Sequence, residues 1–159
     1  MAITQSMATS FKAEILLGVH DFRVTGGDTF KLALYTASAT INANTTAYTT
    51  VNEVSSSGTN YPAGGGALVN LGVAQTNTSV STGVGFVDFA DLTFPNATIT
   101  ARGALIYNTT PSANAADNSP LTNPSVCVLD FGSDKISSDG NFTIVFPAAT
   151  ATSAIIRIA

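Results

Sequence analysis

Residues 98–108, Thr-Ile-Thr-Ala-Arg-Gly-Ala-Leu-Ile-Tyr-Asn, run β-branched and aromatic side chains through one continuous stretch. A second run, Val126-Cys127-Val128-Leu129-Asp130-Phe131, follows one long loop later. Runs of this kind, bounded by Pro, Gly and Asn, predict strands at the middle of a sheet. Residues 29–36 alternate instead, with Phe30, Leu32 and Leu34 on one face and Lys31, Ala33 and Tyr35 on the other, which predicts a half-buried strand. Behind the Gly64-Gly65-Gly66 turn, Val69, Leu71 and Val73 alternate in a weaker strand over 67–74. Residues 84–89, 92–94, 142–146 and 154–158 read as further short strands. Pro95-Asn96 and residues 132–141 are expected to be turns, the latter closing a hairpin.

One helical pattern stands apart from the strands. Ser10 can cap a short helix that places Phe11, Ile15, Val19 and Phe22 on one face, although Gly18 interrupts it. Residues 1–9 are small and polar and are expected to form a mobile arm. Residues 37–63 are expected to be a long loop with one helical turn near 49–53, anchored by Tyr48, Val51 and Val54. Residues 109–124, with Pro111, Pro120 and Pro124, predict a second long loop. No helices alternate with the strands. The pattern therefore predicts one all-β domain over residues 10–159, a jelly-roll-like antiparallel β-sandwich of about eight strands with a short N-terminal helix.

Composition sharpens this picture. The chain has 159 residues, enough for a core that needs no disulfide or metal. Charged residues are 10% of it, against roughly 25% in an average soluble protein. Ser, Thr and Asn carry the polarity, and burying hydroxyls costs far less than burying charges, so the surface suits lasting contact with other protein. The net charge is −4 and the six cations, Lys12, Arg23, Lys31, Arg102, Lys135 and Arg157, are scattered. Nucleic acid is thus not an expected partner. No apolar run approaches the ~20 residues of a membrane span, so no membrane is expected either. The first residues lack the basic and apolar regions of a signal peptide, and the single Cys127 fits folding in a reducing cytoplasm.

Candidate chemistry is sparse. His20 is the only histidine and is expected at the helix end, against the terminal carbonyls. Cys127, between valines, reads as a core residue. Asp88 with Asp91, and Asp134 with Asp139, read as turn carboxylates, without the spacing of a calcium loop. The glycine clusters lack the Gly-Lys-Ser/Thr ending of a phosphate loop. No catalytic, cofactor-binding or metal-ligating set is expected, and no enzyme. Arg102 and Arg157, lone cations in apolar strands, are expected in subunit contacts, together with Phe11, Tyr48 and Tyr61.

Several segments together carry a resemblance. They are residues 31–36, Lys-Leu-Ala-Leu-Tyr-Thr; Asn52-Glu53-Val54 followed by Tyr61-Pro62-Ala63-Gly64-Gly65; Val87-Asp88-Phe89-Ala90-Asp91; residues 100–108; Val128-Leu129-Asp130-Phe131-Gly132; and the ending Ala154-Ile155-Ile156-Arg157-Ile158. In this order they resemble small virion structural proteins of tailed bacteriophages and prophages, from about Phe11 to the end, departing mainly at 109–124. The resemblance implies a particle component without enzymatic activity or cofactor. Its first expected station is the outer capsid surface, as a cement or decoration protein made in the host cytoplasm. Such a protein forms a homotrimer and clamps neighbouring major capsid subunits. A tail, neck or head-fibre component is the alternative. A host-glycan-binding module is a second one, weakened by the absence of Trp for a sugar platform.

Overall fold

The computed structural model describes residues 3–76, 83–112 and 121–159. It is an all-β sandwich with one short helix. The strands are β1 (Ser6–Met7), β2 (Phe30–Tyr35), β3 (Gly66–Ala67), β4 (Asn70–Gln75), β5 (Gly85–Phe89), β6 (Leu92–Asn108), β7 (Ser125–Ile144) and β8 (Ile156–Ile158), and the helix α1 is Thr9–Leu16. A five-stranded antiparallel sheet has the order β1-β7-β6-β2-β3, and a three-stranded sheet the order β4-β5-β8.

The 98–108 run is indeed at the centre. β6 pairs with β2 from Phe30↔Asn108 to Tyr35↔Gly103 and with β7 from Tyr107↔Ser125 to Leu92↔Ile144. Both of its expected flanking turns are absorbed into strand. Pro95-Asn96 becomes a bulge, with Asn96 at φ 49°, and residues 132–141 continue β7. The local turn signals there are real but small in effect. Gly132 at φ 72° and Asp139 at φ 50° kink the strand without reversing it. Between Ala101↔Lys135 and Gly103↔Asp130, β6 advances over Arg102 alone while β7 inserts Phe131, Gly132, Ser133 and Asp134. That large bulge bends the ribbon so that Phe94, Ile99, Phe142 and Ile144 all reach the core.

The large sheet is covered on both faces. Toward the small sheet and α1, an aromatic spine crosses the core. Phe11 lies 6.1 Å from Phe22, Phe22 stacks on Phe30 at 4.5 Å, Phe30 meets Phe89 at 5.7 Å, and Phe89 meets Phe146 at 6.0 Å. On the other face, Ala33, Tyr35, Leu105, Tyr107 and Val128 are buried beneath Ile3, Ala39 and Ile41. β2 is therefore buried on both sides and not half-buried as its alternation predicts. In the 37–63 stretch the anchors are Ala39, Ile41, Val54 and Tyr61, while the expected anchor Val51 is 66% exposed.

Two N-terminal expectations need correction. Residues 3–9 are docked on the domain, not held off as an arm. Ile3 is buried, Ser6 and Met7 pair with Val128 and Cys127, and the Thr4 and Thr9 amides donate to the Ile41 and Ala43 carbonyls. The helix starts after Ala8, with no side-chain cap, and stops at Leu16, because Gly18 takes up φ 71°. Val19 and Phe22 are buried beyond the helix, in the segment that returns along the core. The expected turn at 75–83 and loop at 109–124 lie partly outside the described residues.

Candidate functional site

The residues with chemical capacity are mostly committed to one another inside the fold. All four tyrosines of the chain gather around Glu53. Tyr61 Oη donates to Glu53 Oε1 at 2.8 Å, the Gly64 amide donates to the same oxygen at 2.8 Å, and Tyr48 Oη donates to Oε2 at 2.6 Å. Tyr61 Oη also accepts the Leu34 amide at 2.8 Å, and Tyr107 Oη donates to the Gly64 carbonyl at 2.8 Å. Tyr48 stacks on Tyr107 at 4.6 Å. Burial, reinforced by the Glu53 charge, pushes the Tyr107 phenol up to about 12 and raises the other three as well. Every phenol stays a donor at ordinary pH. The cluster pins the loop over 48–65 to β2 and β6.

His20 does not meet the helix carbonyls. Its Nε2 lies 2.8 Å from Glu14 Oε2 and its Nδ1 3.0 Å from Asn108 Nδ2, all buried. The Asn108 amide is oriented by donating to Asp28 Oδ2 at 2.7 Å and by accepting the Thr110 amide at 2.9 Å. The network therefore assigns Nδ1 as acceptor and Nε2–H as donor to Glu14. Both ring nitrogens are occupied, and no hydroxyl or thiol nucleophile is among these partners. Cys127 is buried in β7, and burial pushes its thiol up to about 12, so it behaves as a small apolar residue.

Asp88 is the exception. It is 1% exposed, its Oδ1 accepts the Phe89 amide at 2.9 Å, and its Oδ2 has no hydrogen-bond partner among the described residues. Burial raises its pKa above the ordinary carboxylate value and the Asp91 charge adds to this, against the amides of Phe89 and Ile155. A raised folded-state value means that the folded chain holds the proton more tightly than the unfolded chain. Stability is then unaffected below the unfolded value of 3.8, falls as pH rises through the folded value, and stays lower beyond it. Asp88→Asn removes that titration. We expect it to stabilise the protein by about 1 kcal/mol at neutral pH and to have little effect near pH 4. Urea unfolding at the two pH values checks this; a variant less stable than the parent at neutral pH would show that Oδ2 has a partner.

The residues expected at subunit contacts separate into two groups. Phe11 and Tyr61 are 0% and 2% exposed within this one chain, so they are core residues and offer no surface. Their apolar bulk, read as available for a partner, is consumed by the aromatic spine and by Phe94, which lies 5.3 Å from Tyr61. Tyr48 is half-buried and engaged with Glu53. Arg102 Nε donates to Asp134 Oδ1 of the same chain at 2.8 Å, across the β7 bulge. Arg157 is exposed on β8 and spends one N–H on the Ala151 carbonyl at 3.0 Å.

What sequence reasoning missed is on the outside. The alternating Val69, Leu71 and Val73 predict an inward face, yet they are 65%, 52% and 66% exposed, Val69 just before the edge strand β4 and Leu71 and Val73 on it. Gly72 at φ 89° and the irregular register between Asn70 and Val73 disrupt the pleat there. Val24 and Leu16 are exposed as well. No helix among the described residues is long and apolar enough to cross a membrane. No family model, curated protein or solved structure matches the chain.

Proposed function

We propose that this chain is a structural protein of a tailed-phage particle, acting as a cement or decoration subunit that trimerises and clamps neighbouring major capsid subunits. The observation that carries the reading is the exposed apolar edge at Val69, Leu71 and Val73 on a chain with only 10% charged residues. A neutral Ser/Thr/Asn surface with an apolar edge loses little on desolvation and gains on burial, the requirement for a permanent contact. The resemblance of the ordered segments from residue 31 to residue 158 supports the virion as the setting. The internal use of Glu53, His20 and Glu14 fits a role carried by shape and surface.

In this mechanism the sandwich is a rigid spacer. Its many modest contacts add through multivalency once several copies sit on a repeating lattice. The test is the copy number and position of the protein in purified particles, from a cryo-EM map with quantified protein bands. Hundreds of copies in threefold clusters on the shell are expected. A small fixed number at the portal or tail, or absence from particles, would overturn the cement role.

A further inference from the structure

One side of the sandwich is open where an end strand of each sheet approaches the helix. β1 ends the large sheet and pairs with β7 over two residues only, while β8 ends the small sheet and pairs with β5 alone. Two cavities, of 330 and 450 Å³, open along this side. Leu129 and Ile155 wall the first, Ile15, Leu16 and Ile158 wall the second, and Met7 and Arg157 belong to both. They form one groove with apolar walls beside unpaired strand edges.

Its charge is one-sided. Lys12 and Arg157 line it, and among the described residues no Asp or Glu does. Glu14, on the same helix as Lys12, is turned inward to His20. Neither Lys12 nor Arg157 forms a salt bridge among the described residues. A chain of net charge −4 thus concentrates two of its six cations, both without an acidic partner among the described residues, at one apolar groove.

We propose that this groove captures an extended peptide segment of a partner protein, one that alternates apolar side chains with carboxylates. Backbone hydrogen bonds to the open β8 or β1 edge would supply affinity. Alternate apolar side chains would fill the two cavities, and the carboxylates would meet Lys12 and the free N–H groups of the Arg157 fork. A second copy is a poorer occupant: pairing β8 with β8 about a twofold at its middle residue sets Arg157 against Arg157, and like charges directly opposite are destabilising. Peptide capture at this groove depends only on its own side chains and strand edges and does not require a place in a virion.

The test is selection of a displayed random heptapeptide library on the immobilised full-length protein, run in parallel on K12E/R157E. Enriched sequences are expected to carry acidic residues between apolar ones. Their synthetic forms are expected to bind with saturable, salt-sensitive fluorescence anisotropy, weakened about tenfold or more by the double reversal and less by R157Q. K135E, a charge reversal outside the groove, is expected to bind as the parent does, and thermal melts confirm that each variant is folded. No enrichment, enrichment without acidic residues, or equal binding by K12E/R157E would overturn the proposal. So would sedimentation showing a self-association that the double reversal abolishes and the peptides fail to compete. Location in particles tests the cement role and leaves this result untouched.

Discussion

Glu53→Ala is expected to lower the unfolding free energy by about 3–4 kcal/mol, three charge-assisted hydrogen bonds being lost together. For a chain of this size that is a fall in Tm of about 10 °C. The carboxylate ties a loop to the sheet. Glu53 faces Tyr35 in an isolated β-bridge, and the Val54 amide that follows donates to the Leu34 carbonyl at 2.8 Å. From there the two oxygens gather the Tyr61 and Tyr48 hydroxyls and the Gly64 amide. Alanine leaves all three donors facing a void, and the phenols cannot compensate by ionising, because burial holds each of them well above ordinary pH. Glu53→Gln keeps the shape but turns an amide N–H₂ toward donors, so about half the loss is expected. Urea midpoints for both variants, and a double-mutant cycle with Tyr48→Phe, measure the effect. A coupling energy near zero in that cycle, or a loss below ~1 kcal/mol for the alanine variant, would mean that water replaces the carboxylate.

The same cluster shows where sequence reasoning stops. β2 and β6 were legible because their β-branched and aromatic runs follow local rules and need no knowledge of partners. Glu53 carries no local signal. It is one of only two glutamates, set in a polar loop between Tyr48 and Tyr61, and only the fold brings Tyr35 and Tyr107 to it. The reverse error occurs in β7. Gly132, Ser133, Asp134, Asp139 and Gly140 are all turn formers, yet β6 pairs with β7 on both sides of the 131–134 bulge and holds the stretch extended. Ser137 Oγ donates to the Ala97 carbonyl at 2.7 Å, and the Asp139 amide donates to Thr98 Oγ1 at 3.1 Å. Long-range pairing overrode local preference and left it expressed as bulges. Phe11 and Tyr61 were misjudged for a related reason: an aromatic residue in a polar neighbourhood looks available until the packing around it is known. Ile3 is the mirror case, an apolar residue among polar neighbours that is buried over Leu105 and Val128, while Met7 and Ala8 pack on the opposite core.

Gly65→Ala is expected to do the most damage, and its neighbour supplies the control. Gly64 and Gly65 both lie in the left-handed region, at φ 81° and 77°, so alanine at either costs about 1–2 kcal/mol of backbone strain. The surroundings separate them. A Cβ on Gly64 would lie 3.2 Å from Tyr107 Oη, the movable end of a side chain. A Cβ on Gly65 would lie 1.8 Å from the Leu32 carbonyl oxygen and 2.7 Å from Ala33 Cα. Those are backbone atoms of β2, which cannot retreat because β6 holds them from Leu32↔Ile106 to Ala33↔Leu105. The turn must lift instead. It would break the Gly65 amide bond to the Pro62 carbonyl, the β3 pairing Leu32↔Gly66, and the approach of the Gly64 amide to Glu53. The total is expected to exceed ~4 kcal/mol, a large part of the stability of a domain this size. Thermal unfolding by circular dichroism should show a cooperative transition at reduced Tm for Gly64→Ala and none for Gly65→Ala. If Gly65→Ala melts within a few degrees of Gly64→Ala, β2 and the turn can separate freely, and the loop over 48–65 is not locked to the sheet in the way its hydrogen bonds require.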